Sequence, residues 1–157
     1  MPEIKARSSL EDLAEEIFEL STLSSAVRSR GKGGAAIDQL TEAEFLALNV
    51  LTKESPQTVG SIQKSIGVLP AQMSRIIRSL EDKSGTPYIS CEINTSDRRR
   101  IDVHLSPEGR KAHDAYRKVR LGLTVELLGE MSPPDRQEFM RLLRLMRVSI
   151  AKRMVDK

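Results

Sequence analysis

The chain has 157 residues, of which 39% are hydrophobic, 3% aromatic and 30% charged, with no Trp and a formal net charge of +3. That is enough for one globular core with a helical extension, and the shortage of aromatics favours helices packed through Leu, Ile, Val, Ala and Met. No apolar run reaches the roughly 18–20 residues that cross a bilayer, Met1–Arg7 lacks a signal peptide's apolar core, and the single Cys91 excludes an internal disulfide, so a soluble cytoplasmic protein is expected.

The modest net charge is unevenly spread. Met1 to Leu20 holds six acidic and two basic residues, whereas Arg110 to Lys157 holds twelve basic and six acidic ones. Such runs read as solvated helix faces, or as an acidic N-terminal helix lying against a basic C-terminal one of its own chain or of a partner.

In chain order, Ser8 or Ser9 caps a helix reaching about Val27, with Glu11 and Asp12 in its first turn and an apolar stripe of Leu10, Leu13, Ile17 and Leu20. Ser29 to Gly34 is glycine-rich and basic, a hinge by composition. Thr41 and Glu44 form a capping box for a helix carrying Phe45, Leu48 and Leu51, stopped at Ser55-Pro56. Gln57-Thr58-Val59 is a short extended link.

Two short helices follow, Thr58–Gly67 and Pro70–Lys83, split by Gly67-Val68-Leu69-Pro70. Met73, Ile76, Ile77 and Leu80 mark the buried side of the second, which leaves Ala71, Gln72, Ser74, Arg75 and Arg78 outside. Ile89/Cys91/Ile93 and Ile101/Val103/Leu105 then alternate with polar residues, the period of two half-buried strands. Asn94 to Asp97 is good turn composition, and Arg98, Arg99 and Arg100 follow at once. Ser106-Pro107-Glu108-Gly109 opens a long helix, and Ser132-Pro133-Pro134-Asp135 breaks it and starts the last one, striped by Phe139, Leu143, Met146 and Ile150. The predicted architecture is mainly α (α+β). It is a winged helix-turn-helix with a two-stranded wing over 37–106, flanked by a helical dimerisation region over 1–36 and 107–157. Helices this long and narrowly striped cannot bury themselves alone, so a homodimer through both termini is expected.

A second helix suited to the major groove beside a hairpin with a basic tip suits duplex DNA. Gln72 can offer donor and acceptor to an adenine edge, and Arg75 can reach guanine or phosphate. Thr58, Ser61 and Ser74 offer phosphate contacts, while Arg98 and Arg99 neutralise phosphates or enter a narrow minor groove. Asp97 is expected to pair with Arg99 and hold its side chain.

The order of parts resembles the multiple antibiotic resistance regulator (MarR) family. The resemblance rests on Leu40-Thr41 with Glu44, on Thr58 to Ile62, on Ser74 to Glu81, and on Asp97-Arg98-Arg99 followed at fixed spacing by Val103 to Gly109. It implies a homodimer on a pseudo-palindromic operator, with a repressor as the expected role. It also implies a small-molecule effector held between the dimer helices and the DNA-binding lobe, a cleft that His113 and Tyr116 could line by position. The chain departs from the family pattern in a longer hairpin, in a first strand Tyr88 to Glu92 that lacks the arginine common there and carries an acid, in Gln63 for a small alanine, and in Leu69 for a serine cap.

The competing reading is a small-molecule or cysteine redox sensor whose DNA binding is weak or lost. Cys91 shares the apolar face with Ile89 and Ile93, where a cysteine behaves as a small hydrophobe, and no basic neighbour in sequence lowers its pKa. His104 and His113 read as surface histidines rather than as metal ligands with Cys91 or Asp102, because His104 alternates to the opposite face. No phosphate loop, nucleophile elbow or metal-helix motif is present, so neither an enzyme nor a cofactor is expected.

Overall fold

The computed structural model describes residues 9–30, 40–83 and 85–155. Its elements, in order, are α1 (Leu10–Arg30), α2 (Glu42–Lys53), β1 (Gln57–Thr58), α3 (Val59–Ile66), α4 (Pro70–Glu81), β2 (Ile89–Ile93), β3 (Ile101–Leu105), α5 (Pro107–Glu130) and α6 (Pro133–Val155). The chain divides into two units, Met1–Tyr116 and Arg117–Lys157. The glycine-rich link at Gly31–Gly34 lies outside the described residues.

Helix starts follow their caps. Ser9 and Asp12 bond reciprocally, Asp12 N–H to Ser9 Oγ at 3.1 Å and Ser9 N–H to Asp12 Oδ2 at 2.9 Å, so α1 begins where expected; it ends later, at Arg30. The Thr41–Glu44 capping box closes the start of α2, and Thr58 Oγ1 accepts the Ser61 N–H to start α3. Gly67 ends α3 at φ +69°, a left-handed backbone that glycine adopts without strain.

In the first unit the core lies between α2, α3, α4 and the sheet. Leu48, Leu51, Ile62, Met73, Leu80, Ile89 and Val103 are its fully buried side chains. The sheet is three-stranded and antiparallel in the order β1-β3-β2. The expected extended link at Gln57-Thr58 is therefore a strand, with Thr58 opposite Asp102 in register. The strand alternation holds only near the core. Ile89 and Val103 are buried, but Ile93 and Ile101, paired across the hairpin, are exposed because the wing runs out past the helices.

The start of α5 is locked to the segment before β2. Ser106 Oγ accepts the Gly109 N–H at 2.9 Å and donates to the Pro87 carbonyl at 2.8 Å, while Ser106 N–H reaches the Tyr88 carbonyl at 3.1 Å. Beyond the core, Leu10, Leu13, Ile17 and Leu20 on α1 are exposed. In the second unit, Leu143, Met146 and Ile150 on α6 are exposed and Phe139 is half-buried.

Candidate nucleic-acid interface

Helix α4 buries Met73, Ile76 and Leu80 and exposes Ala71, Gln72, Ser74, Arg75 and Arg78, the split its spacing predicts. Pro70 opens it at the first helical position, and Leu69, exposed, caps it with no side-chain bond. The Ser74 hydroxyl donates to the Pro70 carbonyl at 3.2 Å, and Arg78 Nε reaches the Ser74 carbonyl at 3.4 Å. Those two side chains are thus turned back along the helix. Gln72 and Arg75 carry no side-chain bond among the described residues, so their polar ends stay available.

The wing tip is built by Asn94. Its Oδ1 accepts the Ser96 and Asp97 N–H groups, both at 2.9 Å, and its Nδ2 donates to Asp102 Oδ2 at 2.7 Å. The turn closes with Asn94 N–H on the Arg100 carbonyl and Arg100 N–H on the Asp97 carbonyl, both at 2.9 Å. An asparagine that bonds the backbone two and three residues on fixes such a turn. Sequence reading treated Asn94 as turn composition and missed its link to Asp102.

Asp97 acts differently from expectation. Its Oδ1 accepts the backbone N–H of Arg99 at 3.1 Å, and its Oδ2 meets the guanidinium of Arg100 at 3.3 Å. The side chain held is that of Arg100, because the tight turn brings residue three of the run back over the carboxylate. Arg98 and Arg99 stand exposed, and neither makes an ion pair among the described residues.

Arg99, Arg100 and Ile101 share an open depression of about 570 Å³ with Thr58, Val59, Gly60 and Ser61. Residues forty apart in sequence meet because β1 pairs with β3 and runs straight into α3. Ser61 Oγ donates to Gln57 Oε1 at 2.7 Å, so its hydroxyl hydrogen is engaged within this edge.

The two histidines part company. His104 is half-exposed near Glu92, with Nε2 at 3.7 Å from the carboxylate. His113 is buried, not on the surface: it stacks on Phe45, with Nε2 at 3.1 Å from Asn49 Oδ1 and Nδ1 at 2.9 Å from Asp114 Oδ1. Tyr116 stacks on Phe45 as well and donates to Glu42 Oε2 at 3.3 Å. The first turns of α5 pack on α2, which turns His113 inward. Among the described residues no group of three or more His, Cys, Asp or Glu could hold a metal. Burial, with Glu81 beside it, pushes the Cys91 thiol up to about 12. It is neutral at physiological pH, as a small hydrophobe would be.

Residues 40–101 match the model of the MarR family. No relative of curated function matches the chain in sequence. Among solved structures, RV1404 from Mycobacterium tuberculosis is similar, with a TM-score of 0.72 at 20% identity over 91% of this chain and 95% of that one. Streptococcus pneumoniae FabT, solved in complex with DNA, gives 0.73 at 17% identity over 92% and 99%. Bordetella bronchiseptica BpsR, whose DNA binding is regulated by 6-hydroxynicotinic acid, gives 0.61 at 21% identity over 84% and 98%. The likeness seen in the sequence is borne out over residues 40–101, which match the MarR family model, and the fold is the winged helix of MarR-type structures.

Proposed function

We propose that the protein is a transcription regulator, a repressor by expectation, that binds a pseudo-palindromic operator in double-stranded DNA as a homodimer. The observation that carries this is the presence, in one unit, of an uncommitted Gln72 and Arg75 on α4 and the exposed Arg98 and Arg99 of the wing. On this reading α4 lies in the major groove, and Ala71, Gln72 and Arg75 face base edges. Thr58 and the arginines from 98 to 100 face the phosphates, with Asp97 shaping the turn, while Ser61, Ser74 and Arg78 would reach them by exchanging their bonds to Gln57, Pro70 and Ser74. Residues 37–106 form the DNA-binding domain, and 1–36 with 107–157 the dimerisation region. FabT, of the same fold, was solved on DNA, which supports the assignment. No helix among the described residues is long and apolar enough to cross a membrane.

The test is a salt titration. Replacing Arg98 and Arg99 by Ala should weaken binding to every duplex and reduce the slope of log K against log salt by roughly 2 for each wing pair lost. Gln72→Ala should change preference among duplexes by about 1–3 kcal/mol at one base step instead. Unchanged slopes in the arginine double variant overturn the wing assignment.

A small-molecule effector is the second part of the proposal, by likeness to BpsR. His113 and Tyr116 would contribute only by exchanging their bonds to Asn49, Asp114 and Glu42 for bonds to the effector. The neutral thiol of Cys91 argues against a redox switch.

A further inference from the structure

A helix held to its domain by apolar contacts alone is poorly fixed in rotation, because apolar burial has no direction. Helix α4 packs that way along Met73, Ile76 and Leu80, and its last turn also receives the Tyr88 N–H on the Leu80 carbonyl at 2.9 Å. Its other face runs Gln72, Arg75, Ser79 at spacings of three and four, so these three side chains lie in one row. The row is exposed at Gln72 and Arg75 and half-buried at Ser79. There it meets Glu44, which is the one buried carboxylate among the described residues and stands on the neighbouring helix α2. Glu44 Oε1 accepts the Ser79 hydroxyl, and Oε2 accepts Lys83 Nζ at 3.0 Å just past the end of α4. The same Oε2 accepts the Thr41 N–H at 2.8 Å. Hydrogen bonds have direction, and these end on the row that carries the proposed base contacts. A turn of α4 by about 10° would displace a side-chain tip some 5–6 Å from the axis by roughly 1 Å, enough to spoil a bidentate base contact.

We infer that Glu44 is a positioning residue for recognition, one that fixes the rotation of α4 through Ser79 and Lys83 and thereby aims Gln72 and Arg75. The inference rests on the DNA-binding reading and deepens it. Its first known role, the capping box with Thr41, is separable, because Thr41→Ala removes the cap hydroxyl and leaves the Ser79 and Lys83 bonds in place.

The experiment compares affinities for a duplex selected from a random pool by the wild-type protein and for a scrambled duplex of equal length, at a temperature where circular dichroism shows each variant folded. Ser79→Ala and Glu44→Ala should lose about tenfold or more on the selected duplex and less than about threefold on the scrambled one. Glu44→Gln keeps an acceptor oxygen for the Thr41 N–H and sets an amide N–H before the Ser79 hydroxyl oxygen, which can accept it, so it should stay within about threefold of wild type on both. Thr41→Ala should lower Tm without altering the ratio of the two affinities. Should Glu44→Ala fail to fold, Ser79→Ala and Glu44→Gln decide the matter. The inference is overturned if Ser79→Ala keeps the wild-type ratio, if it loses equally on both duplexes, or if Thr41→Ala lowers the ratio as far. A wild-type protein that selects no duplex removes the DNA-binding reading and this inference together. Selection by wild type with an unaltered ratio in Ser79→Ala removes the inference alone.

Discussion

Burial raises the pKa of a carboxyl group, and at Glu44 burial is the largest single influence. The bonds from Ser79, the Thr41 N–H and Lys83 together outweigh it, so the group sits below its ordinary 4.5. A carboxyl depressed on folding stabilises the fold above the unfolded value and loses that contribution as pH falls through the folded one. Denaturant melts between pH 6 and 3 should therefore show a steeper loss for wild type than for Glu44→Gln, which has no charge to lose. Equal slopes would show the ionised form is not specially held. Cys91 has the opposite bias. Its thiol, raised to about 12, should react with a disulfide reagent at pH 8 far more slowly in the native protein than in denaturant. Single residues were the least legible part of the chain. The capping pair Thr41–Glu44 acts within one turn and could be read from spacing, whereas at α1 the sequence left the cap between Ser8 and Ser9 and did not pair it with Asp12. The Glu44–Ser79 and Asn94–Asp102 bonds join elements and leave no mark in local sequence, and the same holds for the inward turn of His113.

Among elements, the beginning of α5 has the tightest tolerance. A Cβ on Gly109 would stand 2.1 Å from the Tyr88 carbonyl oxygen and 2.9 Å from its carbon, both backbone atoms held by Ser106. Gly109→Ala should cost about 2–3 kcal/mol in a urea melt, by forcing α5 away from the strand leader. An unchanged midpoint would mean that this contact yields freely. Helices α2, α3 and α4 were legible because their stripes, caps and breakers agree. Glycine and proline at 67 and 70 punctuate the chain where the backbone turns. The wing was legible as two strands from alternation, but the exposure of Ile93 and Ile101 was not, since periodicity says which side a residue takes and not how far the core extends beneath it. The two-residue strand β1 is too short to have any period at all.

At the scale of the whole molecule, exposed Leu10, Leu13, Ile17 and Leu20 on α1 and Leu143, Met146 and Ile150 on α6 are more apolar surface than a soluble monomer normally shows in continuous stripes. A homodimer through these faces is the proposal. Leu143→Glu combined with Met146→Glu should shift the sedimenting species from dimer to monomer and weaken binding to a two-half-site duplex at least about tenfold, since linked half-sites some 34 Å apart no longer act together. Wild-type sedimentation at the monomer mass would refute the arrangement. Thr58 belongs to two structures at once, pairing with Asp102 in the sheet and accepting the Ser61 N–H in the first turn of α3. Anyone transplanting this hairpin into another scaffold to retarget it would have to cut upstream of residue 57, because the splice that looks natural, between linker and helix, severs a shared hinge pin.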